Sequence, residues 1–171
     1  TWHGTELDLH RTLAPGPYGL TIEGDALFAE PVSFELAGVE LATSGPEHHL
    51  VHAAIHVALG DVEPRLGNVR DTALLLAHPG LDEDAVIRAV VEWRVEAPFA
   101  RGVGLVAELG AATSGVVEWA RRFTPTRRDR GLLQSYATRD GRFRRQAWAS
   151  LRVLQWRDRV AYVRSLAGRF P

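Results

Sequence analysis

The chain has 171 residues, is 46% hydrophobic and contains no cysteine; that is long enough for one substantial core, short for two, and excludes disulfides and thiolate metal sites. No apolar run approaches the ~18 residues of a membrane span, and Thr1 to Leu20 lacks a charged-then-apolar signal pattern, so no membrane partner is expected and the cytoplasm is the default location. Charge is nearly balanced overall but not along the chain: residues 1–110 hold 17 Asp and Glu against 6 Arg, and residues 111–171 hold 4 against 14.

Thr5 to Leu13 reads as a first strand. Within it, Glu6-Leu7-Asp8-Leu9-His10 alternates ionisable and aliphatic side chains, which puts Glu6, Asp8 and His10 on one face and Leu7 and Leu9 on the other. Two carboxylates and an imidazole in a row suit a hydrated divalent metal, and they also suit an ordinary solvated strand face. The strand starts a few residues after Thr1, as though the chain opened inside a sheet. No Met occurs, so either an initiator has been trimmed or the start of the gene product precedes Thr1.

Ala14-Pro15-Gly16-Pro17 ends the strand in a loop, and a short helical turn is expected at Asp25 to Ala29. Val32 to Leu36 and Val39 to Ala42 alternate around Ala37-Gly38, which predicts a hairpin. Ser44 or the following Gly-Pro then opens a helix through Leu59, with Glu47 in its first turn. Further helices are predicted at Arg65 to Ala77, stopped by His78-Pro79-Gly80, then at Asp82 to Val95, Ala97 to Leu109 and Val116 to Arg122. A last long helix, Arg142 to Ala167, sets Phe143, Ala147, Leu151, Leu154 and Val160 near one side, and Trp148, Trp156 and Tyr162 are expected to complete a core. A surface or partner helix is the alternative. The expected fold is α+β, mostly α: strands and a hairpin over residues 1–43, then a helical bundle over 44–171, as one compact unit.

Four groups of residues bear on chemistry. His48, His52 and His56 fall at i, i+4 and i+8 on the first long helix, so His52 and His56 with Asp71 could offer three ligands to Zn2+ or Fe2+. The Glu that a metalloprotease needs after the first His is Ala53, and the preferred reading of His52, His56 and Asp71 is structural, a polar network between two helices. Asp82-Glu83-Asp84 reads as a helix N-cap with charge favourable to the dipole. Gly102-Val103-Gly104 lies in a helical pattern and makes no phosphate loop. All 20 cations are Arg, which suits an anion-binding C-terminal part, since guanidinium pairs bidentately with phosphate. The alternative is docking on the acidic remainder of the chain or a solvated face. Because the arginines are not interleaved with exposed glycines and aromatics, the alternative is preferred and no nucleic-acid partner is expected.

The order of four segments resembles a bacterial nucleotidyltransferase-like family, distant relatives of the DNA polymerase beta superfamily. They are Glu6-Leu7-Asp8-Leu9-His10, the helix Leu50 to His56, Arg65 to Leu75 and Trp156 to Arg164, which together span nearly the whole chain. The resemblance implies that Asp8 is the third metal-binding carboxylate of a Mg2+-dependent transfer of NMP from an NTP to an unknown acceptor. Glu6 and His10 would then support the metal or contact the acceptor. The superfamily's Gly-Ser turn and Asp-x-Asp pair, which should precede Asp8, are not found. The expectation is therefore the later part of a longer nucleotidyltransferase, inactive alone, with an N-terminal portion of the same protein as a partner and residues 1–43 as part of its sheet. Two other readings stay open. One is a non-catalytic helical module whose Arg-rich last helix recruits an acidic protein; the other is a metal-dependent hydrolase using His52, His56 and Asp71.

Overall fold

The computed structural model describes residues 13–14, 18–19, 22, 24–60, 63–110 and 114–137, and beyond them 147–149, 151–152, 156, 159–160 and 163. The expected strand at Thr5 to Leu13 lies almost wholly outside these residues. What is described is α+β and mostly α. A 3-10 turn at Gly24–Phe28 leads into β1 (Val32–Leu36) and β2 (Val39–Thr43), followed by α1 (Pro46–Leu59), α2 (Leu66–Leu76), α3 (Glu83–Glu92), α4 (Glu96–Glu108), α5 (Gly115–Arg122) and α6 (Arg127–Gln134).

The hairpin is antiparallel, with Phe34 opposite Leu41, Glu35 opposite Glu40 and Leu36 opposite Val39. Ala37 and Gly38 both take positive φ, 51° and 79°, the two-residue turn whose twist matches the strands it joins. Gly38 adopts this without strain, whereas Ala37 carries a Cβ into the left-handed region.

The core is built around α1. Leu50, Val51, Ala54, Ile55, Val57, Ala58 and Leu59 are all buried, and the helix packs against α4, α2 and α3. α4 in turn carries α5 and α6. Phe99 of α4 is fully buried, its ring 5.9 Å from that of Trp119 on α5, which stacks on Phe123 at 5.5 Å. Where α1 crosses α4, a Cβ on Gly102 would run into the Ala54 carbonyl oxygen. Gly102 is therefore a packing residue that lets two backbones touch.

One helix end and one whole helix depart from the sequence expectation by more than a residue. α3 stops at Glu92, short of Val95, because Arg94 takes φ 55°; Val95 N–H donates to the Val90 carbonyl at 3.0 Å and Arg94 N–H to Val91 at 3.1 Å. This is a Schellman ending, with arginine where glycine is usual. α6 was not expected at all. Its sequence is polar, and only Leu132 among its residues is buried, so it has almost no periodicity to read. Its start is fixed by a capping box, in which Thr126 Oγ1 accepts from Asp129 N–H at 3.2 Å and Asp129 Oδ2 accepts from Thr126 N–H at 2.8 Å.

The C-terminal expectation needs a larger correction. Ala147 and Leu151 are half-buried, but Trp148 and Trp156 are 69% and 76% exposed, and Val160 is exposed too. The two tryptophans complete no core. Phe143, Leu154 and Tyr162 lie outside the described residues. No helix among the described residues is long and apolar enough to cross a membrane.

Candidate functional site

Glu6, Asp8 and His10 lie outside the described residues. The nearest described point is Leu13, five residues beyond Asp8, and its carbonyl accepts a hydrogen bond from His56 Nε2 at 3.2 Å. His56 sits in the last turn of α1, one helix whose opposite sides are sealed in the core. A carbonyl only accepts, so the Nε2 of His56 carries a proton.

α1 presents its histidines on the one flank that is half-buried. The apolar residues occupy the remaining circumference, which leaves this flank for polar groups. The row divides along its length. His48 packs its ring against Trp93 at 4.9 Å, while His52 and His56 meet edge to face at 4.5 Å. His49, one residue off the stripe, places Nε2 3.0 Å from Thr43 Oγ1 at the end of β2. Burial, and then the neighbouring His48, holds the His49 imidazole below the ordinary histidine range. The i, i+4 spacing that singles out His48, His52 and His56 passes over His49. The flank thus ties two incoming segments, the chain at Leu13 and the exit of the hairpin, to a single rigid helix.

Asp71 does not join this group. It is exposed and accepts from its neighbour Arg70, through Nε at 3.0 Å and Nη2 at 2.7 Å. The residue that α2 turns inward is Thr72, fully buried between Val69 and Leu76 on the same helical face, with Oγ1 donating to the Asn68 carbonyl at 2.8 Å. One residue amounts to about 100° of helical rotation, enough to carry Asp71 from the interface to solvent. The expected polar network of His52, His56 and Asp71, and the three-ligand hydrolase site built on it, are both corrected by this register. Among the described residues no group of three or more His, Asp or Glu could hold a metal ion.

The acidic triplet has the structural role expected. Asp82 Oδ1 accepts from Ala85 N–H at 2.9 Å and caps α3. Glu47 in the first turn of α1 accepts from Asp82 N–H at 3.1 Å, and Glu83 reaches the start of α5, accepting from Gly115 N–H at 3.2 Å. Three helix N-termini are thereby gathered at one end of the bundle by carboxylates, each favourable to the dipole it faces.

Residues 1–111 match the family model described as uncharacterised nucleotidyltransferase. The match takes in the segment with Asp8, the hairpin and α1 to α4; it leaves out the Trp156 to Arg164 segment that the sequence resemblance also used. No curated protein and no solved structure matches the chain. With well over half of its length matched, from Asp8 through the histidine flank of α1 to the end of α4, the chain belongs to this family of uncharacterised nucleotidyltransferases.

Proposed function

We propose that Asp8 is a metal-binding carboxylate of a Mg2+-dependent transfer of NMP from an NTP to an acceptor hydroxyl. The observation that carries this reading is the family match, which includes Asp8. The chemistry of the donors agrees: Mg2+ takes hard oxygen ligands, which a carboxylate supplies and the imidazoles of α1 do not. When bound, Mg2+ supplies positive charge at the phosphate oxygens. The contribution of the described residues is positional. His56 anchors the Leu13 carbonyl to a helix packed on three others, which fixes the chain at Leu13, five residues after Asp8 in the sequence. Glu6 and His10, alternating with Asp8, would orient the acceptor or hold it by hydrogen bonds.

The chemistry also needs a Gly-Ser turn to grip the triphosphate and an Asp-x-Asp pair, which the reading assigns to an N-terminal portion of the same protein. The test supplies α-labelled NTPs and Mg2+ to the chain, alone and joined to those elements. Label transfer is expected only in the joined protein, with a loss of about 100-fold or more in Asp8→Ala. Undiminished transfer by the Asp8→Ala protein, or transfer in the presence of a chelator, would sink the reading.

A further inference from the structure

The β1–β2 hairpin stands clear of the helical bundle. All five residues of β1 and the first four of β2 are exposed, on both faces of the ribbon, and each strand packs chiefly on the other. A two-stranded ribbon with nothing laid against it is marginal in water; a third strand or a covering helix is what stabilises it. The sheet has two strands among the described residues, so β1 and β2 each keep an open edge there.

The two faces differ in chemistry. One carries Val32, Phe34, Leu36, Val39 and Leu41; the other carries Ser33, Glu35, Glu40 and Ala42, with the two glutamates directly opposite each other. Like charges so placed destabilise a ribbon, and neither glutamate has an ion-pair partner among the described residues. The surrounding sequence supplies none, since residues 12–64 hold eight Asp and Glu and no Arg or Lys.

Backbone hydrogen bonding selects the edge. Leu36 and Val39 flank a two-residue turn and so exchange their backbone bonds. Alternation then leaves Ser33 and Glu35 of β1, and Glu40 and Ala42 of β2, with N–H and C=O directed away from the paired strand. β2 ends at the half-buried Thr43, whose Oγ1 lies 3.0 Å from His49 Nε2, whereas β1 is exposed throughout. The β1 edge is the more open template.

We propose that the outer edge of β1 takes up an extended segment of a partner protein in which apolar and basic residues alternate, adding a third strand to the hairpin. The segment's apolar side chains join the row that holds Phe34, and its Arg or Lys side chains come beside Glu35 and relieve its apposition to Glu40. Other occupants satisfy one face at most. A helix laid over the apolar face leaves both glutamates unpaired, and a second copy of this chain brings the same carboxylates to the same edge. The inference does not rest on nucleotide transfer.

The test titrates the full chain against a labelled synthetic peptide of about seven residues, a common strand length, in which Arg and Val alternate. Fluorescence anisotropy should show saturable binding, about tenfold tighter than for a peptide of the same composition with its arginines grouped at one end, which cannot sort its side chains onto two faces. A peptide alternating Glu and Val should not bind. Amide exchange at Ser33 and Glu35 should slow by about tenfold on binding, while Phe34, whose N–H already faces β2, changes little. The double variant Glu35→Arg, Glu40→Arg should exchange the preference, taking the Glu–Val peptide and refusing the Arg–Val one, a result that a misfolded protein would not give. The proposal is overturned if the Arg–Val peptide fails to bind at about 1 mM, or if the grouped peptide binds equally well, which would mark simple charge attraction. Slowed exchange at Glu40 and Ala42 with none at Ser33 and Glu35 would place the strand on the other edge and overturn it too. So would protection of Ser33 and Glu35 without peptide that is lost on dilution, because the occupant would then be a second copy.

Discussion

Helix α1 and the β1–β2 hairpin are both rich in aliphatic residues, yet they end in opposite environments. In α1 seven apolar residues are buried. In the hairpin the pairing puts Val32, Phe34, Leu36, Val39 and Leu41 on one face, and every one of them is exposed, Leu36 at 60%. Periodicity states which residues share a face, because that follows from backbone geometry alone. Whether the face is covered depends on which other elements come to rest on it, and no local pattern holds that information. The structure thus separates a sealed helix from an open sheet within one short stretch of chain.

The contrast can be pressed from its strongest side. Phe99→Ala, deep beside α1, should cost about 4 kcal/mol in urea unfolding; a loss below about 1 kcal/mol, the range of surface sites, would mean that the centre is not sealed. Gly102→Ala should cost about 2 kcal/mol by forcing α4 away from the Ala54 carbonyl, and a neutral result would break the close crossing. On the hairpin side, Ala37→Asn should gain up to about 1 kcal/mol, since asparagine tolerates positive φ better, and a loss in thermal melting would contradict the turn.

At His49, where the two regions meet, burial favours the neutral ring. The unfolded chain then binds the proton more readily, so stability should be intact above a pH of about 6.5 and fall as pH drops below it. His49→Gln should flatten that part of the stability curve, and an unchanged curve would show that the ring is solvated. The smallest effect is expected for Phe34→Ser, within about 0.5 kcal/mol. A cost above about 2 kcal/mol would reveal the hairpin face as covered and remove the comparison itself.

Much of the architecture was legible beforehand. The Ala37-Gly38 turn, the span of α1 to Leu59 and the cap at Asp82 each rest on a local rule, and local rules survive folding. What escaped was set by register or by tertiary contact. Asp71 rather than Thr72 drew attention because a carboxylate suggests chemistry, but helical phase turned the hydroxyl inward. Arg94 ends α3 without the glycine that would have signalled it. Trp148 and Trp156 resemble core residues by type, and nothing in their neighbours' identities shows that they stay open. For Glu6, Asp8 and His10 the alternating pattern and the family match are the whole of the argument, since these residues lie outside the described ones.

The glycine at the α1–α4 crossing also acts as a mechanical key. Position 102 faces the Ala54 carbonyl so closely that a Cβ there would strike it, which ties the register of α4 on α1 to this one contact. His52 and His56 lie two residues to either side of Ala54, so their height along the bundle is locked to α4. The hydrogen bond from His56 to the Leu13 carbonyl therefore hangs from a helix whose own position is set by that crossing.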